Sequence, residues 1–283
     1  MRLVDHGSSR VGSRIPDVAA EFLRNQHTLV IGAADDDGRV WAGMLAGPIG
    51  FAAPRDDRTI DLSVLPHFED PLHGLFEQNR DVGLLAIEPQ TRRRMRVNGI
   101  AVRADEILTV IAEQVYSNCP KHIQTHPYTS PPVPRQDLGR GTALSQRHCE
   151  WITQADTFFI ATSVAGYGAD ASHRGGNPGF VSVTGPRTLQ FEDYPGNSMF
   201  MTLGNLELNP AAGLLFVDWK RGQTLQLTGR AWVEWNDKRI VHFELDEYIH
   251  LAGTASAPRR QMLTRQKRTL PKTSDSPTPI DRD

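Results

Sequence analysis

Two cysteines occur in the 283 residues, Cys119 and Cys149, and they stand thirty positions apart in no CxxC pair. A disulfide framework is therefore not expected, and a reducing, cytoplasmic setting follows as the default. The chain also lacks any apolar run long enough to cross a bilayer, so no membrane span is expected. Its first fifteen residues, rich in Asp, Gly, Ser and Arg, lack the apolar centre of a secretory signal. Charge of one sign is missing too. With 31 basic and 33 acidic residues the formal net charge is −2, which argues against a nucleic-acid partner. Neither GxxxxGK[ST] nor GxGxxG is present, and the strand pattern lacks βαβ units, so a P-loop and a dinucleotide fold are both excluded. HExxH is absent as well. His122 and His126 have i, i+4 spacing, but Pro127 follows at once, and no metal site is expected.

What the chain does contain is itself, twice. "GLLAIEPQTRRRMRVNGIAV" (83–102) matches "GLLFVDWKRGQTLQLTGRAW" (213–232), and "LVIGAADDDGRVWAG" (29–43) matches "FFIATSVAGYGADAS" (158–172). The spacing is about 130 residues, with Gly50-Phe51 on Gly179-Phe180. Each copy is rich in strands. "TLVIGAA" and "FFIATSV" are apolar runs closed by turns, and "MRVNGIAVR" and "LQLTGRAWV" alternate around a glycine that marks a bulge. Apolar spacing predicts helices over 70–79 and 197–209, and closing strands over 107–116 and 240–249.

The fold expected is mainly β: two tandem small antiparallel β-barrel modules with short helices, related by internal duplication. The boundaries follow from composition. Residues 1–19 form an N-terminal segment, 20–124 the first repeat, 125–147 a Pro/Gly-rich linker, 148–254 the second repeat and 255–283 a mobile tail.

The copies diverge unevenly, and the divergence is informative. Ser172, His173, Arg174 and Gly175 align with Gly43, Met44, Leu45 and Ala46, so one half carries a polar, cationic segment where the other is apolar. Tyr194 and Asn197 align with Leu65 and Phe68. In the opposite sense, the first copy ends in "SNCPKHIQ" (117–124), while the second ends in "HLAG" (250–253). A composite site between the barrels is the economical explanation. Guanidinium can grip an anion through two parallel hydrogen bonds, and glycines let backbone N–H groups approach the same anion. The residues of "SHRGG" alone leave open an ordinary solvated turn. In "NCPKH", Pro120 suits a helix start capped by Asn118 or Cys119, and Lys121 would lie beside free N–H groups of the first turn. A capped surface turn reads the same residues as well. No catalytic constellation stands out, with His173 the one candidate base.

"FIATS", "SHRGGNPGFV", "FEDYPGNSMFMTLGNLELNPAAGLLF" and "LQLTGRA" resemble the FMN-binding split-barrel family related to pyridoxamine 5'-phosphate oxidase. "WAGMLAGPIGF", "RRRMRVNG" and "NCPKHIQ" resemble the first half of its tandem members, and the resemblance spans roughly residues 20–250. It implies FMN at a barrel–barrel interface, with Arg174 on the phosphate and Ser172, His173 and Gly175 beside it. Tyr194 and Asn197 would border the flavin or its phosphate arm, with Asn118 and Lys121 reaching across from the first copy. Relatives often carry a basic residue where this chain has Ser198, so one phosphate contact is absent or is supplied by Lys121. The function implied is flavin-dependent oxidation–reduction of a small molecule, in a homodimer, with NAD(P)H or a reductase as electron donor. A non-catalytic flavin or heme carrier, and a deazaflavin F420 reductase on the same fold, are the alternatives.

Overall fold

A computed structural model describes residues 12–117, 123–124, 134–194 and 201–254. The first half runs α1 (Asp17–Arg24), β1 (Thr28–Ala34), β2 (Val40–Ala46), β3 (Ala52–Pro54), β4 (Thr59–Leu62), a 3₁₀ turn (Leu75–Glu77), β5 (Arg80–Glu88), β6 (Arg93–Ala104) and β7 (Ile107–Ser117). Strand β8 (Gln136–Gly141) and helix α2 (Gln146–Gln154) connect it to the second half. There follow β9 (Thr157–Val164), β10 (Gly168–Gly175), β11 (Val181–Gly185), β12 (Thr188–Glu192), α3 (Met201–Leu208), β13 (Ala211–Asp218), β14 (Gln223–Trp235) and β15 (Arg239–Ala252).

All pairings are antiparallel. The first sheet has the order β2-β1-β5-β6-β7-β4-β3 and the second β10-β9-β13-β14-β15-β12-β11. Strand for strand these are one topology. The bulge glycines sit at equivalent places, with register shifts at Asn98/Gly99 in one sheet and Thr228/Gly229 in the other.

The central strands are apolar at nearly every position because both of their faces are buried. In β1, Leu29, Ile31 and Ala33 point into the first sheet's own core, while Val30 between them joins a separate apolar cluster. β5 divides likewise, Leu84 and Ala86 inward, Leu85 and Ile87 outward. β9 and β13 of the second half send Phe159, Ala161 and Leu215 into that same outer cluster. This cluster is a seam along which the two sheets pack back to back.

Three glycines set how closely the sheets approach. A Cβ on Gly83 would lie 2.5 Å from the Asp170–Ala171 backbone, and one on Gly213 would lie 2.7 Å from Val40 and Trp41. Gly83 on β5 and Gly213 on β13 hold equivalent places in the two sheets, as do their partners on β10 and β2, so the two contacts interchange when the halves are swapped. A Cβ on Gly32 would sit 2.6 Å from that of Ala161, its own counterpart. Such reciprocity is the mark of a two-fold, isologous interface, here made within one chain.

Three expectations need correction. The stretch 70–79 is an irregular loop with a single 3₁₀ turn, because Gly74 is left-handed (φ 76°) and breaks the helix its apolar spacing implied. The stretch taken as linker carries a strand and the start of a helix, and β8 pairs with the end of β15. "SHRGG" is no turn: Ser172 to Gly175 continue β10, and the reversal comes later, at Gly179 (φ 92°). The end of β15 also reaches into the other half, since Ile249 and Leu251 belong to the first sheet's core.

Filling the seam should force it apart. Gly83→Ala is expected to cost about 1–3 kcal/mol in chemical denaturation, the usual range for overpacking. The same change at solvent-facing Gly204, where a Cβ meets nothing within 4 Å, should not destabilise the chain.

Candidate functional site at the seam

The alternation of β10 puts Asp170, Ser172 and Arg174 on one face, and that of β6 puts Arg94, Arg96 and Asn98 on the face opposite Met95 and Val97. Met95 and Val97 fill the first core, which leaves the two arginines and the asparagine for the seam. There the two strands meet.

Asp170 is fully buried and ringed by donors. Its Oδ1 accepts from Arg96 Nη1 (3.3 Å), Tyr116 Oη (2.8 Å) and Asn98 Nδ2 (3.4 Å), and its Oδ2 from Thr202 Oγ1 on α3 (3.2 Å). Burial works against the Arg96 charge, but Asp170 beside it raises that guanidinium above its ordinary value. Burial, with Asp170 adding to it, also pushes the Tyr116 phenol up, so the phenol keeps its proton and donates it.

Arg96 then reaches one residue further and donates through Nη2 to Ser172 Oγ. Arg174 donates through Nη1 to the same oxygen, at 2.8 Å. Two like charges thus converge on one neutral hydroxyl. Burial pushes the Arg174 guanidinium below its ordinary value; Asp193 opposes this, and Arg96 adds to it. Asp193 lies 3.4 Å from Arg174 Nε and 3.4 Å from Arg239 Nε, so it is shared between them. With both lone pairs of Ser172 Oγ engaged, its O–H remains to be donated, and no acceptor for it stands among the described residues. Arg94 Nη1 lies 3.3 Å from His173 Nδ1, and His173 packs edge-on against Phe159. Two guanidinium groups and a buried hydroxyl thus present donors of the kind from which an oxygen-bearing anion accepts.

The expected residues divide three ways. Ser172, His173 and Arg174 are brought together with Arg96 and Arg94 of the other half. Gly175 closes β10 opposite Thr157, and half-buried Tyr194 directly follows Asp193. Asn118, Lys121, Asn197 and Ser198, along with Cys119, His122 and His126, lie outside the described residues. Sequence reasoning missed Arg94, Arg96, Asp170 and Asp193. The signal for the first two was present in "RRMRVN", where basic and amide residues alternate with apolar ones in a strand otherwise suited to burial.

The equivalent position on the other side of the two-fold is closed. Gln226 and Thr228, the counterparts of Arg96 and Asn98, donate to the Ala42 and Val40 carbonyls at 3.1 and 2.8 Å. Gly43 stands in place of Ser172, and a side chain there would run into Asp70 and Leu72 at 3.1 Å. Asp70 accepts from Leu72 N–H (2.9 Å) and Gln226 Nε2 (3.2 Å), and burial pushes its carboxyl up to about 6.

No family model matches the chain, and no curated protein matches it. Solved structures similar to it include a candidate pyridoxamine 5'-phosphate oxidase from Lactobacillus delbrueckii (14% identity, 40% of this chain, 97% of that one, TM-score 0.33). HupZ of Group A Streptococcus aligns at 14% identity over 41% of this chain and 100% of that one, TM-score 0.33. An FAD binding protein from Mycobacterium smegmatis aligns at 14% over 40% and 98%, TM-score 0.27. Likeness this distant says nothing about activity. No helix among the described residues is long and apolar enough to cross a membrane.

Asp170→Ala should strand the Arg96 charge and cost about 3–5 kcal/mol, measured by denaturant titration. Replacing both partners, Arg96→Met with Asp170→Leu, should recover most of that loss; a double variant no better than the single one would contradict the pairing. Asp70 has the opposite sign from a paired carboxylate. Because its folded-state pKa is raised, its contribution is full below about pH 4 and is lost as pH rises through about 6. The stability of wild type relative to Asp70→Asn should therefore fall across that window, by roughly 3 kcal/mol at most.

Proposed function

We propose that the chain binds FMN at the seam, with the phosphate held by Arg174 and Ser172, and acts as a flavin-dependent oxidoreductase on a small molecule. The observation that carries this reading is the convergence of Arg96 and Arg174 on Ser172 Oγ, which leaves a buried O–H to donate beside two guanidinium groups. A phosphate suits such a place, since it is a dianion near neutral pH and accepts through several oxygens. The resemblance of the "SHRGG" and "DYPGN" segments to FMN-binding relatives supports the same choice. Asn118, Lys121, Tyr194, Asn197 and Ser198 complete the candidate set on that resemblance.

The residues would divide the work by position. Arg174 and Ser172 bind; Arg96 is held in place by Asp170, so that it faces the anion without a conformational cost on binding. Gly175 would leave the strand backbone bare beside the anion. Bound there, FMN would supply hydride transfer to or from the small molecule, while the chain supplies orientation and hydrogen bonds. The closed counterpart at Gly43 and Asp70 favours a single cofactor per chain.

The test is titration of the purified chain with FMN, followed by absorbance and fluorescence, with F420 and heme as parallel arms. One FMN per chain is expected. Arg174→Ala should weaken binding by at least about tenfold, a charge-assisted contact being worth about 1.5–3 kcal/mol. Arg239 still neutralises Asp193 in that variant, which spares the fold. A chain with no affinity for FMN, or one that takes up two, would overturn the proposal. Anaerobic reduction by NADH or NADPH with sustained turnover on an acceptor separates an oxidoreductase from a carrier.

A further inference from the structure

Away from Ser172, a cleft of about 470 Å³ opens between α2 and the turn joining β13 to β14. Its walls include two indoles. Trp219 is buried where the turn meets the seam, and Trp151 is half-buried on α2 against the second core. Flat aromatic walls favour a flat occupant, since ring–ring contacts add about 0.5–1.5 kcal/mol to the area they bury.

The charges around the cleft are unequal in their commitments. Asp218 is satisfied within the turn, accepting from the Lys220 and Arg221 N–H groups (2.9 Å each) and from Arg221 Nη1 (2.7 Å). Glu150, on the outer rim of α2, accepts from the Gln146 amide at 3.0 Å and keeps its charge, while Asp156 is engaged elsewhere. Arg147 and Lys220, by contrast, line the cleft and make no ion pair among the described residues. Thr157 forms part of the inner wall.

We propose that this cleft binds a planar aromatic ring bearing one anionic group. The ring would lie against the indoles, and the anion would be drawn by Arg147 and Lys220. The cleft also adjoins the cationic strand end. Thr157 is the register partner of Gly175, and the Gly176 N–H donates to the Asp156 carbonyl at 3.0 Å. An occupant would thus sit next to the seam site without sharing its residues, and the inference stands whether or not FMN binds there.

The experiment uses the full chain with no flavin added, titrated with 1-naphthoate, 1-naphthyl phosphate and neutral 1-naphthalenemethanol. Binding is read by calorimetry and by quenching of tryptophan fluorescence. Saturable binding of either anion, with the alcohol at least about tenfold weaker, is expected, and the stronger of the two anions tells carboxylate from phosphate. The exposed pair Arg147→Glu and Lys220→Glu should reduce anion binding by at least about tenfold without altering thermal unfolding. Trp151→Leu should remove most of the quenching, whereas Trp232→Leu, on the exposed β14–β15 hairpin, should leave affinity unchanged. No saturable binding of either anion, equal binding of the alcohol, or full affinity in the charge-reversed variant would overturn the proposal.

Discussion

One buried ion pair ties the halves of this molecule together at a place where one half is polar and the other apolar. Arg96 belongs to the first sheet and Asp170 to the second, and each would be costly to bury alone. Asp170 is offset by four donors from three elements: a phenol, an amide, a hydroxyl and the guanidinium itself. A pair so placed contributes little net stability over an apolar substitute, but it fixes position. With Arg96 aimed by Asp170, its second nitrogen donates to Ser172, and the site inherits its geometry from a structural bond.

The surrounding seam explains why such precision is available. Strands that are apolar on both faces pack one face into their own core and the other against the partner sheet, and at Gly32, Gly83 and Gly213 there is no side chain to keep the sheets apart. Backbone is therefore the spacer. The same two-fold that brings Arg96 to Ser172 brings Gln226 to the Ala42 carbonyl, and the chain has spent its two equivalent positions differently. One gathers charge; the other is sealed by neutral hydrogen bonds and the Asp70 loop.

Much of the fold was legible because strand alternation and bulge glycines are local properties. "TLVIGAA" is β1 residue for residue, and Gly99 and Gly229 mark the register shifts their flanking patterns implied. The stretch 70–79 misled because a loop can bury Leu72 and Phe76 at helical spacing without being a helix. β8 was hidden by its glycines and its half-exposed face, since its pairing partner lies more than a hundred residues away. For the site, comparing the two copies exposed Ser172 and Arg174. It did not expose Arg96 or Asp170, whose meaning depends on which strand faces which across the seam. That is a fact of topology, absent from any window of sequence.

The end of β15 has a bearing on how the chain can be handled. Ile249 and Leu251 are the last core residues of the second repeat, yet they complete the core of the first. Arg39 and Glu247 span the same boundary, at 3.2 Å. A cut between the repeats would therefore not release two autonomous domains. The first would be left with a hole in its interior, and the second with an apolar strand end and no interior to enter. Alike in topology, the two halves are joined at this edge: the last strand of one completes the interior of the other.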